Sequence, residues 1–232
     1  MVQTPRIDDD STTAMIETER YDPGEPHPGV NDTIDIEWVD RGKELAGLLR
    51  LSVRPDDRTT WFLCAVHQRG HDPVVVLDWE LPLVTNAFEF RASGIWTDFV
   101  CETPIEQWTI GLEAFGVAID SAETLTPDVY GQRLPVGLDL DVEAASAPDE
   151  SDNGFCHDVS VCGEVLVGSE SWEIEALGRR RRYWAEPAPG QALAPAGLAL
   201  ETRISVLWPG SQYPEARGWV RGARPGWVDL PI

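Results

Sequence analysis

Three carboxylates set among aromatic residues form the most chemically suggestive part of this sequence. Asp98, Glu102 and Glu113 lie within residues 94–120, a stretch whose other side chains are typical of β-strands. Strands are normally poor in Asp and Glu, so carboxylates here indicate a lined cavity more than a plain core. A carboxyl group in an apolar pocket is harder to ionise and can serve as a general acid at neutral pH. We therefore predict that these three residues are catalytic, with surface salt bridging as the alternative for each.

Tryptophan is abundant, with ten among 232 residues. In a core these side chains supply bulk, and in a pocket they supply flat apolar walls. Small β-barrels hold large apolar ligands in their mouths, so a group of tryptophans on strands predicts such a pocket. For each one singly, burial in the core is the alternative. The predicted substrate-binding tryptophans are Trp38, Trp61, Trp79, Trp96 and Trp108.

Four consecutive arginines, residues 179–182, stand out in an acidic chain. Successive side chains of a strand point to opposite faces, so about two of the four would face inward in a barrel wall. Guanidinium groups recognise planar oxyanions with two parallel hydrogen bonds, which makes an anion or carboxylate clamp one interpretation. The alternative is pairing with neighbouring acidic surface, because exposed arginine is the usual case. We predict that Arg182 and the adjacent Tyr183 contact the substrate.

No motif for a cofactor or a metal is present. The sequence lacks a glycine-rich phosphate loop, a GxSxG elbow and an HExxH pair. His67 and His71 flank Gly70 in a segment that is better explained as a hairpin turn than as a metal site. Cys101 has no evident histidine partner, so a thiolate nucleophile is not expected. We therefore predict neither a cofactor nor a metal.

The charge and the cysteines limit the partners and the compartment. Forty acidic and eighteen basic residues give a formal net charge of −22, which repels nucleic-acid phosphates and anionic lipids. Residues 1–33 lack the apolar run of a signal peptide, and no apolar run is long enough to span a bilayer. Four cysteines without zinc-site spacing are typical of a reducing compartment. We expect a cytoplasmic protein without nucleic-acid partners, and leave a homodimer open.

Alternating apolar and polar residues predict an antiparallel all-β fold. Residues 46–54 (AGLLRLSVR) alternate in this way, which indicates a strand with one wet face that includes Arg50 and Ser52. Residues 105–117 are the one stretch where a helix was an alternative, and their β-branched and aromatic content favours a strand. The predicted strands are residues 34–39, 46–54, 61–67, 73–79, 87–92, 108–119, 136–142, 159–167, 172–177, 182–185, 198–207 and 217–221.

Composition divides the chain into three portions. Residues 1–33 are predicted to form a flexible arm, since they combine acidic residues with a Pro/Gly-rich stretch. Residues 144–153 (AASAPDESDN) read as a linker, which places a first β-barrel portion at 34–143 and a second, reduced β portion at 154–232. Residues 186–197 are predicted to be a Pro/Ala/Gly loop.

Five blocks of sequence carry a resemblance to a known family. They are residues 47–55 (GLLRLSVRP), 94–102 (GIWTDFVCE), 108–115 (WTIGLEAF), 134–143 (LPVGLDLDVE) and 163–178 (GEVLVGSESWEIEALG). In order and spacing they resemble bacterial lipocalin-like proteins, the hydroxyneurosporene synthase (carotenoid hydratase) and AttH-like superfamily, within it an uncharacterised actinobacterial branch. The resemblance implies calycin-like β-barrels around apolar cavities, with isoprenoid, steroid or polyketide ligands.

Two departures from the family pattern matter. Relatives tend to carry Arg-Asp-His-Ser-Trp-Gly where this chain has Arg-Arg-Arg-Tyr-Trp-Ala at residues 180–185, so the acidic residue and the histidine are missing. Proton transfer at that block is therefore in doubt. Relatives also continue further, which leads us to expect a lipocalin-like barrel followed by an abbreviated second barrel or sheet.

The function expected from these observations is that of a cofactor-free enzyme of specialised metabolism. It would catalyse cyclisation, isomerisation or hydration of a large apolar polyene, polyketide or isoprenoid in a tryptophan-lined barrel cavity, where shape and one buried acid suffice. The alternative is a non-catalytic carrier of an apolar small molecule, which the loss of the Asp-His pair favours. A scaffold role is the third option, but it leaves the tryptophans unexplained.

Overall fold

The computed structural model describes residues 31–83, 88–120, 124–126, 129–151, 154–184, 199–206, 215–221 and 226–230. The predicted arm therefore lies outside the described residues as far as residue 30, and so does the predicted loop at 186–197. Within the described ranges the regular elements are all β-strands. They are β1 (Asp32–Asp40), β2 (Leu45–Arg54), β3 (Thr59–Gln68), β4 (Val74–Pro82), β5 (Phe88–Ala92), β6 (Ile95–Thr103), β7 (Gln107–Ala118), β8 (Thr124–Leu125), β9 (Gln132–Ala144), β10 (Asp149–Ser151), β11 (Gly154–Val167), β12 (Glu170–Tyr183), β13 (Ala199–Val206), β14 (Glu215–Arg221) and β15 (Gly226–Leu230).

Eight antiparallel strands close into a barrel-like ring. The ring order is β1, β2, β3, β4, β7, β9, β11 and β12, and β12 returns to pair with β1. The closure between β4 and β7 is short, since it rests on Val74 opposite Ala118 and Val75 opposite Val117. Beyond that point β7 pairs with β6, and β5 extends the sheet from β6. The predicted all-β antiparallel class is confirmed.

The interior of the ring is a packed apolar core. Along β9, the residues Val136, Leu138, Leu140 and Val142 are buried while Asp139, Asp141 and Glu143 between and after them are exposed, as the alternating sequence predicts. Strands with this period place every second side chain on one face. The equivalent inward residues of the other strands join them in one buried cluster.

A second sheet covers part of the outside of the ring. It has the order β15, β14, β13, β8, and its β8–β13 pair is parallel. Ile204 and Val206 of β13 pack with Trp61 and Leu63 of β3 in a second apolar cluster. Strands covered on both faces lose the alternating pattern, because both faces must be apolar or internally paired.

The prediction that one face of β2 is exposed to solvent is wrong. Arg50 and Ser52 are buried, although the alternation of β2 assigned them to solvent. Arg50 donates from Nε and Nη2 to both carboxylate oxygens of Asp35, at 2.7 and 2.9 Å. Thr33 and Ser52 share a 2.7 Å hydrogen bond on the same face. Hydrogen bonds and ion pairs between the side chains of neighbouring strands thus allow polar residues to lie on a buried face.

The structure differs from the sequence-based prediction at two further places. Residues 172–177 and 182–185 were predicted as separate strands, but β12 runs without interruption through Tyr183. The predicted linker at 144–153 carries β10, and β9 pairs with β11 on either side of it. Strands from both predicted portions therefore belong to the same ring. The predicted turn at Gly70 is present, since the His71 amide donates to the Gln68 carbonyl.

Candidate functional site

Four neighbouring strands carry an open groove on the outer face of the sheet. The register of β6, β7, β9 and β11 aligns side chains in rows that cross the strands. One outward row is Trp96, Glu113, Gly137 and Leu166, and the next is Asp98, Gly111, Asp139 and Glu164. The missing side chain of Gly137 leaves a depression between its neighbours. The groove above these rows has a volume of about 950 Å³.

We call this feature the Trp96 groove. Its apolar walls include Trp96, Leu166 and Phe115, whose side chain is 59% exposed. Its polar lining consists mainly of three carboxylates, which are Glu113, Asp139 and Glu164. The groove therefore combines aromatic surface with negative charge. Such a combination offers a ligand both an apolar contact and a point of orientation.

The carboxylate of Asp98 and the ring of Trp96 cover Gly111 on the adjacent strand. A Cβ atom at Gly111 would overlap Oδ1 of Asp98 and would lie 3.6 Å from Cη2 of Trp96. Glycine in a strand often marks such a close approach. Oδ1 of Asp98 and Nε1 of Trp96 are buried and have no hydrogen-bond partner within the described residues. Unpaired buried polar atoms cost about 1–3 kcal/mol each, so two beside one groove single out this corner of the sheet.

Arg91 is the basic side chain of the groove. Its guanidinium lies 5.7 Å from the centroid of the Trp96 ring, within the range of a cation–π contact. It also forms an ion pair with Glu89 at 3.3 Å, and both side chains are largely exposed. Exposed pairs of this kind contribute little to stability. Arg91 is therefore a loosely held cation on an aromatic face.

The groove brings together three of the predicted site residues. Trp96 and Glu113 line it, and Asp98 lies in the adjoining row beside Trp96. Glu102 lies further along β6, outside the lining, where it accepts a 3.4 Å hydrogen bond from Thr109 Oγ1. Two of the three predicted catalytic carboxylates are thus close to one cavity.

The other predicted tryptophans lie on two different surfaces. Trp38 and Trp108 point into the ring and are buried in its core. Trp61 is buried beneath the second sheet, and Trp79 packs against the same cluster. The five tryptophans therefore do not share one cavity wall in the described structure.

Two of the four consecutive arginines face the ring interior, as the strand alternation predicts. Arg180 and Arg182 are fully buried. Arg182 donates to both carboxylate oxygens of Asp32, from Nε at 3.0 Å and from Nη2 at 2.6 Å. The clamp predicted for a substrate thus grips a carboxylate of the protein itself. Tyr183 follows on the opposite face of β12 and is half-buried.

Arg180 lies among aromatic rings. Its guanidinium carbon is 4.5 Å from the Trp108 centroid and 5.4 Å from that of Phe155. His157 is its direct partner in the register of β11 and β12, and it is buried as well. Sequence reasoning assigned no role to His157 or Asp32. The alternation of residues in β11 could have predicted that His157 is buried. His157 lies two and four residues before Val159 and Val161, which face inward, so all three side chains lie on the same face of the strand.

The remaining reactive groups do not form a catalytic centre in the part of the chain that is described. Burial raises the pKa of the Cys64 thiol to about 12, which keeps it protonated. Burial also raises the pKa of Cys156, against the opposing effect of Arg179 and Arg181. No group of three or more His, Cys, Asp or Glu side chains among the described residues has a metal-binding arrangement. No helix in those ranges is both long and apolar enough to cross a bilayer.

Comparison of the chain with protein-family models, curated proteins and solved structures found no match. The resemblance to lipocalin-like proteins therefore stays a prediction.

Proposed function

We propose that this protein binds a small molecule in the Trp96 groove. The observation that carries the proposal is the groove itself, whose volume of about 950 Å³ lies within the range of ligand pockets. Aromatic walls and a few carboxylates give it the composition of such pockets. The ligand rests between Trp96 and Leu166, above the depression at Gly137.

The ring interior is a less favourable seat for a large apolar ligand. Trp38 and Trp108 fill it together with the inward aliphatic side chains of all eight ring strands. A close-packed interior admits a ligand only after rearrangement, since proteins pack as densely as organic crystals. The closed ring of eight strands supports a lipocalin-like architecture, with the four-stranded sheet in place of a second barrel. In this proposal the ligand seat lies outside the ring.

Cofactor-free catalysis is the second candidate function. It is favoured by Glu113 in the groove lining and by Asp98 beside Trp96, with the Asp98 Oδ1 atom withdrawn from solvent. A ligand held against Trp96 would have both carboxylates within the same corner of the sheet. One could deliver or remove a proton during isomerisation, cyclisation or hydration of an alkene. The Trp96 groove could therefore serve both as the binding site and as the active site.

One experiment tests binding and separates the two candidates. The pure protein is incubated with polyenes, steroids, linear polyketides and amphiphilic amines, and each compound is recovered and analysed by chromatography with mass detection. Co-purification of unaltered compound supports binding alone. Conversion that is lost in both Asp98→Asn and Glu113→Gln supports the enzyme. Retention of the same compounds by Gly137→Leu, in which a side chain fills the depression, would contradict the groove as the ligand seat.

A further inference from the structure

We propose that the ligand of the Trp96 groove is an organic cation, a protonated amine or quaternary ammonium group carried on an apolar body. This inference rests on the proposed function and adds to it the chemical class of the ligand. Three observations support it: the carboxylates of the lining, the arginine already seated on the tryptophan, and the apolar surface next to both.

The carboxylates of the lining outnumber its basic side chain, Arg91, which is itself paired with Glu89. Glu113, Asp139 and Glu164 form no ion pair within the described residues, and Glu164 accepts a hydrogen bond from Ser171 Oγ. Asp98 adds a fourth carboxylate in the adjoining row. Grouped charges of one sign at a cleft raise the local concentration of ligands of the opposite sign. A cationic head group is therefore attracted, and an anionic one is repelled.

Arg91 indicates where the cationic group binds. The face of Trp96 already receives the Arg91 guanidinium at 5.7 Å, while the Arg91 side chain is 73% exposed. An indole face attracts cations through its quadrupole, and the attraction is greater when the cation is desolvated. A ligand cation on the Trp96 face would in addition lie beside Glu113, the register partner of Trp96, and it therefore competes with Arg91 for the ring.

The groove also offers an apolar surface that would bind the apolar body of the ligand. Phe115, Pro135 and Leu166 line the same groove. The exposed ring of Phe115 lies directly opposite Pro135 in the register of β7 and β9. A hydrocarbon or aromatic chain placed here removes apolar surface from water on both sides. Electrostatic attraction to the carboxylates then holds the head group of the ligand, and the burial of apolar surface holds its body.

The test uses three probes that carry different head groups on the same phenyl ring and four methylene groups: 4-phenylbutylamine, 4-phenylbutanol and 5-phenylpentanoate. Isothermal titration calorimetry on the full chain at low ionic strength should give the amine an affinity at least about tenfold above the alcohol, and the anion the weakest binding. Added salt should weaken binding of the amine and leave the alcohol unchanged, because salt screens exposed charges.

Matched variants on β9 locate the effect. Asp139 and Asp141 are exposed on the same face of one strand, but only Asp139 lines the groove. Asp139→Asn should weaken the amine several-fold and spare the alcohol, whereas Asp141→Asn should change neither. Equal effects of the two variants would mean general attraction to an acidic protein and would overturn the inference.

The two proposals fail in different ways. If the alcohol or the anion binds as tightly as the amine, and Gly137→Leu abolishes that binding, the cationic ligand class is wrong and the groove remains the ligand seat. If none of the three probes binds, or if binding survives Gly137→Leu, the inference falls together with the proposed function. Circular dichroism and urea unfolding of each variant show that the fold is retained.

Discussion

Asp98 of β6 lies directly across from Gly111 of β7, and its carboxylate occupies the space that a side chain at Gly111 would need. The same glycine is covered by Trp96. The position of the Asp98 carboxylate beside Trp96 thus depends on the absence of one Cβ atom on the adjacent strand. Asp98 and Gly111 are therefore coupled through the space that they share.

The coupling predicts a non-additive pair of substitutions. Gly111→Ala forces the Asp98 carboxylate to move, so it should destabilise the protein by about 1–3 kcal/mol, as overpacking does. Asp98→Ala removes the overlapping atom, and in that background Gly111→Ala should cost at least about 0.5 kcal/mol less. Urea unfolding of the four proteins in the cycle measures the difference. Identical costs in both backgrounds would show that Asp98 does not occupy this space.

The buried ion pair of Asp32 and Arg182 predicts a large effect of removing one partner. Asp32→Asn leaves a fully buried guanidinium without its carboxylate and should destabilise the protein by about 3–5 kcal/mol. Asp57 provides the control, since its pair with Arg54 at 2.8 Å lies at the surface with Asp57 54% exposed. Asp57→Asn should cost less than about 1 kcal/mol. Chemical unfolding that finds equal losses for both variants would contradict this account of the ring interior.

The contact between Arg180 and Trp108 predicts an energetic coupling inside the ring. At 4.5 Å the guanidinium lies against the indole in a desolvated setting, where a cation–π contact is worth about 2 kcal/mol. A double-mutant cycle with Arg180→Met and Trp108→Leu isolates this contribution, because methionine replaces the stem of arginine with an unbranched apolar chain that has no charge. We expect a coupling above about 0.5 kcal/mol by urea unfolding. A coupling of zero would mean that the arrangement is only steric.

The raised pKa of Cys64 predicts a loss of stability in alkali. Burial raises this pKa from its ordinary value of 9.0 to about 12, so between these values the unfolded chain releases a proton that the folded chain keeps. The free energy of unfolding should therefore fall by about 1.4 kcal/mol per pH unit from this group as the pH rises above 9, and the contribution is fully present below pH 9. Cys64→Ala should remove this part of the slope in urea titrations between pH 9 and 11.

Cys162 supplies the control for the burial of Cys64. It is exposed on the outer face of β11, so a thiol reagent at pH 8 should modify Cys162 in the native protein and spare Cys64. Rapid native modification of Cys64, or a slope that survives Cys64→Ala, would be incompatible with its burial.

Much of the fold could be predicted from local pattern. The alternation in β9 correctly assigned Val136 through Val142 to the interior, and the arginines of β12 alternate between the two faces as expected. The segment now seen as β6 was recognised as strand-like, although no strand was assigned to it. Local pattern works here because one face of these strands meets the core and the other meets water.

Long-range packing could not be predicted in the same way. The burial of Arg50 depends on Asp35 in the neighbouring strand, and that pairing is a property of register. Trp96 and Trp108 lie in the same stretch of sequence, yet one faces outward and the other inward, because a turn separates β6 from β7 and sets the register of each. The sequence predicted a cavity inside the barrel, whereas Trp96, Asp98 and Glu113 lie together on the outer face of the sheet, and their role stays a prediction.

The central claim is that the Trp96 groove holds the ligand, and Gly137 offers the most direct test. A Cβ atom at Gly137 would lie 3.4 Å from the Leu166 Cβ, which is an ordinary contact, so the backbone at Gly137 admits a side chain that enters the groove, as in Gly137→Leu. Thr109→Leu is the control, since it places the same side chain on the outer face of β7 away from the lining. Calorimetric titration with 4-phenylbutylamine should show binding to the wild type and to Thr109→Leu, and at least about a tenfold loss for Gly137→Leu. Equal affinity for all three proteins would contradict the account.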